Sequence, residues 1–80
     1  MKNNETPDDI EIFTHNVAWL RKQNGLSKKE MAKLLHIGVG SLNKIERGEL
    51  PPLLRADVFF FIKLHFGLSP QTQLTQWLGE

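Results

Sequence analysis

The chain has 80 residues, of which 40% are hydrophobic and 24% are charged, and its net charge is +1 with no cysteine. One small globular domain fits this length and composition, whereas a disordered chain, a disulfide-rich scaffold and a thiolate metal site are excluded. No apolar run reaches the roughly 20 residues of a membrane span, and residues 1–9 lack the apolar stretch of a signal peptide, so we expect a cytoplasmic protein.

The first predicted helix extends from the N-terminal region to Gly25. Thr6 is its expected N-cap, and Pro7 occupies the first helical position. Its apolar stripe has spacings of three and four residues and comprises Ile10, Phe13, Val17 and Leu20. We assign residues 1–6 to an N-terminal tail and residues 7–80 to a single domain.

Two short helices follow, and a tight turn joins them. The first begins with a capping box, in which Ser27 is the N-cap and Glu30 lies three residues later. The second begins with Gly38 as its N-cap and ends at Gly48. His36, in the turn, is one of the residue types that tolerate a left-handed conformation. The inward faces of the two helices contain Met31, Leu34, Leu35, Leu42 and Ile45.

Two more helices complete the pattern, which contains five helices and no strand. Pro51 and Pro52 interrupt helical structure, and a strongly apolar fourth helix then extends to Gly67. Its expected buried face comprises Val58, Phe61, Ile62 and His65. Consecutive phenylalanines in this helix span about 200°, so one small core cannot cover all of them. A last short helix begins at Pro70, and its apolar side contains Leu74, Trp77 and Leu78.

The second and third helices carry the features that indicate function. Helices that cross at a wide angle around a tight turn can project the second of them into a DNA major groove. The outward or partly outward positions of the third helix are Val39, Gly40, Asn43, Lys44 and Arg47. Residues 21–33 also form a local basic segment within a nearly neutral chain.

The stretch GLSKKEMAKLLHIGVGSLNKIERG (residues 25–48) resembles the helix-turn-helix of the phage-repressor and Cro-like (XRE-type) transcription regulators. The match has no gap and includes the GLS start, Glu30, Ala32 and the IERG end. Looser similarity extends over residues 17–78, and the helix-turn-helix proper corresponds to residues 27–48. The resemblance implies an all-α, five-helix, lambda-repressor-like fold that binds double-stranded DNA.

The resemblance also implies roles for individual residues. Those that reach base edges, or flank residues that do, are Val39, Gly40, Ser41, Asn43 and Lys44. Lys28 and Arg47 match positions that contact the DNA backbone, and we also expect phosphate contacts from Lys29 and Arg55. Valine offers only apolar contact, for example with a thymine methyl, and glycine offers only its backbone. Hydrogen-bonded readout therefore falls mostly to Lys44, Asn43 and Ser41.

The family pattern implies two further contacts. Arg21 and Glu46 match a pair that forms an internal salt bridge between the first helix and the end of the third. Members of the family dimerise through their C-terminal helices, for which an exposed phenylalanine would supply apolar surface. The candidates for a dimer interface are Phe59, Phe60, Trp77 and Leu78.

An enzyme has little support in this sequence. It shows no Ser/His/Asp arrangement, no glycine-rich phosphate loop and no paired carboxylates in an apolar setting. The histidines lack the spacing of metal ligands; they are His15, His36 and His65. We therefore expect neither catalysis nor a cofactor, metal or small-molecule substrate.

Two functional hypotheses follow. The first is a sequence-specific transcriptional regulator, a repressor that acts as a homodimer on a two-fold operator with half-sites about 34–36 Å apart. The second is a protein-interaction module on the same fold, with weak or no DNA binding. The near-neutral charge and the polar-poor start of the third helix favour the second hypothesis. From charge alone the lysines of the second helix would be a solvated surface, but their position beside the third helix favours contact with DNA.

Overall fold

A computed structural model describes residues 9–52 and 54–79 of the chain. Within these ranges the chain forms five α-helices and no strand, which confirms the predicted all-α architecture. The helices are α1 (Asp9–Gln23), α2 (Lys28–Leu35), α3 (Val39–Glu46), α4 (Asp57–Phe66) and α5 (Pro70–Thr75). Thr6 and Pro7, which are predicted to begin the first helix, lie outside the described residues.

The core lies between α1 and the other helices, because α1 packs against both α3 and α5. The α2 helix packs on α3 and α4, and α4 packs on α5. Buried apolar side chains from the first four helices meet in one cluster, and half-buried ones from α1, α4, α5 and the connecting segments surround it. The clustered residues are Phe13, Val17, Leu20, Met31, Ala32, Leu35, Leu42, Ile45, Val58 and Ile62.

Two predicted inward positions are wrong. Ile10 is 42% exposed, whereas Ile12 is 7% exposed and buried. Ile12 precedes the buried Asn16 by four residues, so the two share one helix face. A prediction based on apolar residues alone omits this face, because Asn16 is polar. The buried residues of α4 are Val58 and Ile62, which are four positions apart, and the next position in that series is the half-buried Phe66. His65 lies one position earlier and is exposed.

The last helix is shorter than predicted. It ends at Thr75, and the backbone of Gln76 is extended, with φ −119° and ψ 124°. Trp77 and Leu78 therefore belong to a C-terminal segment, residues 76–79, and not to the helix. Polar contacts with α1 hold this segment in place.

Asn16 makes most of those contacts. Its side chain is 1% exposed, and its Nδ2 donates to the carbonyl oxygens of Gln73 (3.0 Å) and Gln76 (2.7 Å). Its Oδ1 accepts from the amide of Leu78 at 2.9 Å. The neighbouring His15 adds a contact of 2.9 Å between its Nε2 and the carbonyl oxygen of Leu78. One buried asparagine thus joins the end of α5 and the C-terminal segment to the middle of α1.

Candidate nucleic-acid interface

The start of α2 is fixed by the capping box that the sequence predicts. Ser27 Oγ accepts from the Glu30 amide at 3.0 Å, and Glu30 Oε1 accepts from the Ser27 amide at 2.8 Å. Lys28 and Lys29 occupy the first turn of α2, and both are exposed. Their ammonium groups and the positive end of the helix dipole can act together on an anion.

The turn between α2 and α3 depends on His36. This residue has φ 59° and ψ 41°, the left-handed conformation predicted for it, and its amide donates to the carbonyl oxygens of Ala32 and Lys33. Its ring also stacks on Phe61 of α4, with ring centroids 4.1 Å apart and planes 21° from parallel. The stacking was not predicted, because nothing local in the sequence relates residues of the turn to α4.

The α3 helix is anchored from beneath. Gly38 is its N-cap, as predicted, with φ −77° and ψ 159° and no side-chain hydrogen bond. Leu42 and Ile45 are each 0% exposed and attach the helix to the core. The opposite side of α3 therefore projects from the surface in a fixed orientation.

The predicted base-reading residues differ in accessibility. Lys44 and Gly40 are exposed, and Val39 is 40% exposed, whereas Ser41 and Asn43 are half-buried. The Oδ1 atom of Asn43 is shielded from solvent and accepts no hydrogen bond from the described part of the chain. Bidentate pairing with adenine uses both the oxygen and the nitrogen of an asparagine amide. Asn43 can therefore pair with adenine only if its amide group rotates to expose Oδ1.

Arg47 and Arg55, the two arginines predicted to contact phosphate, are exposed and have acidic neighbours. Arg47 lies 3.6 Å from a carboxylate oxygen of Glu49, and Arg55 lies 3.4 Å from one of Asp57. Exposed pairs of this kind contribute little stability. Each arginine can therefore leave its carboxylate for a DNA phosphate at small cost.

The predicted ion pair between Arg21 and Glu46 is present. Arg21 Nε and Nη2 donate to the two carboxylate oxygens of Glu46 at 2.6 and 3.1 Å, and Nη1 donates to the Leu26 carbonyl oxygen at 3.1 Å. Hydrogen bonding to Glu46 raises the pKa of Arg21 above its ordinary value. The pair joins α1 to the last residue of α3 and thereby fixes the far end of the projecting helix.

The four candidates for a dimer interface have separate surroundings. Phe59 packs on Phe13 at a centroid distance of 4.9 Å, and Leu78 packs half-buried against the core. Trp77 is 38% exposed and meets the ring of His15 edge-on. Phe60 is 58% exposed, and Leu64, which the sequence reasoning missed, is 63% exposed. These last two are four residues apart on α4 and share one face.

The described residues form neither a metal-binding cluster nor a membrane-spanning helix. Among residues 9–52 and 54–79, no three acidic or histidine side chains are grouped so that they could hold a metal ion. No helix in the same ranges is long and apolar enough to cross a membrane.

Comparison with known proteins agrees with this geometry. A family model described as Helix-turn-helix matches residues 17–56, which is half of the chain and includes α2, the turn and α3. No curated protein and no solved structure gave a match. The family comprises DNA-binding regulatory domains and is not typically enzymatic. The chain belongs to the phage-repressor and Cro-like (XRE-type) family of helix-turn-helix DNA-binding regulators.

Proposed function

We propose that this protein is a sequence-specific transcriptional repressor that binds a two-fold operator as a homodimer. The observation that carries the proposal is the position of Lys44, which is exposed on a helix anchored by Leu42 and Ile45. An α-helix fits the major groove, where a lysine can donate to the acceptors of guanine. A protein bound at a promoter can exclude the polymerase by occupancy alone, so repression requires no further surface.

Phosphate contacts would set the register of the helix on DNA. Lys28 and Lys29 supply positive charge at the start of α2, and Arg47 supplies it at the end of α3. Arg55 precedes α4. Among the residues that the structure describes, neither Lys28 nor Lys29 has an acidic partner, so both are available to an anion.

Salt dependence tests this proposal with random genomic DNA. Each phosphate contact contributes about −0.9 to the slope of log affinity against log salt concentration. We expect Lys28→Ala to reduce the magnitude of that slope by about 0.9, the contribution of one phosphate contact. The affinity should fall by the same factor for all DNA sequences. Fluorescence anisotropy over a series of salt concentrations measures both quantities.

Lys22→Ala is the matched control, because it removes one exposed positive charge from the last turn of α1, outside the proposed phosphate contacts and the proposed dimer surface. It should keep the wild-type slope. An equal loss of slope in both variants would mean that net charge, and not a contact made by Lys28, governs binding.

The dimer surface is proposed to be the α4 face formed by Phe60 and Leu64. Burial of each side chain contributes roughly 1.5–3 kcal/mol, so Phe60→Ala and Leu64→Ala should each weaken self-association by about tenfold or more. Sedimentation velocity over a range of protein concentrations measures the effect. Ile10→Ala, which shortens a comparably exposed residue on α1, should leave the dimer intact. A monomeric wild type at high concentration would contradict this assignment.

A protein-interaction module with weak or no DNA binding is the second candidate function. The exposed pair Phe60 and Leu64 favours it, as does the lack of polar side chains at Val39 and Gly40. Such a module would bind random DNA weakly or not at all even at low salt, with no dependence on Lys28, whereas a repressor of this fold would bind measurably.

A further inference from the structure

A cleft lies between the turn that joins α2 to α3 and the start of α4. Its volume is about 290 Å³, close to the lower limit of about 300 Å³ for pockets that bind small molecules. One water molecule takes up about 30 Å³ of the liquid, so the cleft has room for about ten waters. That space corresponds to one small organic molecule.

The wall of the cleft is apolar and belongs partly to the core. Leu35 and Val58 line it, and both are buried. Phe61 lines it as well, and its ring is fixed by stacking on the ring of His36. Because packing holds these side chains in place, the cleft presents a preformed surface to an apolar group.

The rim of the cleft has one charge of each sign. Arg55 and Asp57 both line the cleft and are exposed, and the guanidinium of the first lies 3.4 Å from the carboxylate of the second. A simple anion would be repelled by Asp57, and a simple cation would be repelled by Arg55. A ligand with a carboxylate and an ammonium group close together interacts favourably with both residues. It can replace their mutual contact at small cost, since exposed ion pairs are weak.

We propose that this cleft is a binding site for a free α-amino acid with a large apolar side chain. The apolar side chain packs on Phe61 and Val58. The carboxylate accepts from Arg55 and from Ser41, whose hydroxyl lines the cleft and makes no hydrogen bond with the described part of the chain. The ammonium group pairs with Asp57. This site goes beyond the proposed function and does not depend on DNA binding.

Titration of the isotope-labelled protein with L-phenylalanine, followed by NMR of the backbone amides, tests the site. We expect the amide signals of the residues that line the cleft to shift. Two analogues separate the contributions of the charges, since phenylpropionate lacks the ammonium group and phenethylamine lacks the carboxylate. One exposed charge pair corresponds to roughly a two- to fivefold difference in affinity, so each analogue should bind more weakly than phenylalanine by about that factor.

Variants then assign each charge to its residue. Arg55→Gln should weaken the binding of phenylalanine by about two- to fivefold but should not weaken that of phenethylamine, which has no carboxylate to lose a partner. Asp57→Asn should weaken the binding of phenylalanine by a similar factor but should not weaken that of phenylpropionate. Both residues are exposed, so both variants should fold.

Arg47→Gln is the matched control. Arg47 is also exposed and lies 3.6 Å from a carboxylate oxygen, that of Glu49, but it does not line the cleft. This variant should bind phenylalanine as tightly as the wild type.

The inference is overturned if phenylalanine causes no shifts up to its solubility limit, or if the shifts are confined to residues away from the cleft. It is also overturned if both analogues bind as tightly as phenylalanine, or if Arg47→Gln and Arg55→Gln weaken binding equally. None of these measurements uses DNA, so their outcome leaves the proposed function to its own test.

Discussion

Replacement of Asn16 by alanine is expected to lower the free energy of unfolding by about 2–4 kcal/mol. The change removes the side chain that pairs with the carbonyl oxygens of Gln73 and Gln76 and with the amide of Leu78. Each backbone group left buried without a partner costs about 1–3 kcal/mol, although partial release of the C-terminal segment to water limits the total. Urea unfolding followed by circular dichroism gives the difference directly.

Asn24→Ala is the matched control for this prediction. Asn24 is exposed, and its Nδ2 donates to a single backbone acceptor, the carbonyl oxygen of Leu20, at 2.8 Å. Its loss should cost less than about 1 kcal/mol, because water can replace it. Similar destabilisation by the two variants would show that burial of Asn16 has no special role in holding the C-terminal segment.

Replacement of Lys44 by alanine is expected to change which DNA sequences the protein prefers. Lys44 is exposed on α3 and has no acidic partner among the described residues, and one good contact with a base contributes about 1–3 kcal/mol of discrimination. The variant should lose preference at one base pair of each half-site while it keeps its preference elsewhere. Selection from a random DNA pool, followed by sequencing, compares it with the wild type.

Lys28→Ala provides the contrast in that experiment, since a phosphate contact carries no base information. It should return the wild-type preferred sequence at lower affinity. An unchanged preference in Lys44→Ala would remove this residue from base recognition. Readout would then rest on Val39 and on the shape of the DNA.

The predictable parts of the fold are those whose signals are local in the chain. Ser27 and Glu30 are three residues apart, and a capping box can therefore be recognised without knowledge of the tertiary structure. The same holds for the αL turn residue His36 and for Gly38 at the start of α3. In each of these cases the residue type itself indicates the backbone conformation at its position.

The contacts of Asn16 could not be predicted in this way. Its partners are backbone groups of residues 73, 76 and 78, about 60 positions further along the chain. Backbone amides and carbonyls are common to all residues, so no residue type marks them as partners. The early end of α5 follows from these contacts and was missed for the same reason.

Phenylalanines 59–61 show an intermediate case. The helical period indicates that one core cannot cover all of them, but it does not specify which one is exposed. That depends on the rotation of α4, which places Phe59 against Phe13 and leaves Phe60 exposed. In the candidate interface, the orientation of Asn43 is similarly undetermined by sequence, because its amide can turn towards either the protein or the groove.

The open space at Gly40 has a consequence for how this protein can evolve. A Cβ atom added there would meet no atom of another part of the molecule within 4 Å, so a small side chain need not be accommodated by the core. Glycine within a helix costs roughly 0.5–1 kcal/mol relative to alanine, which means that many replacements would leave folding unharmed or improved. Gly40 also lies next to Val39 on the side of α3 that projects from the surface. Single substitutions at this position can therefore change the projecting surface of α3 independently of selection for stability.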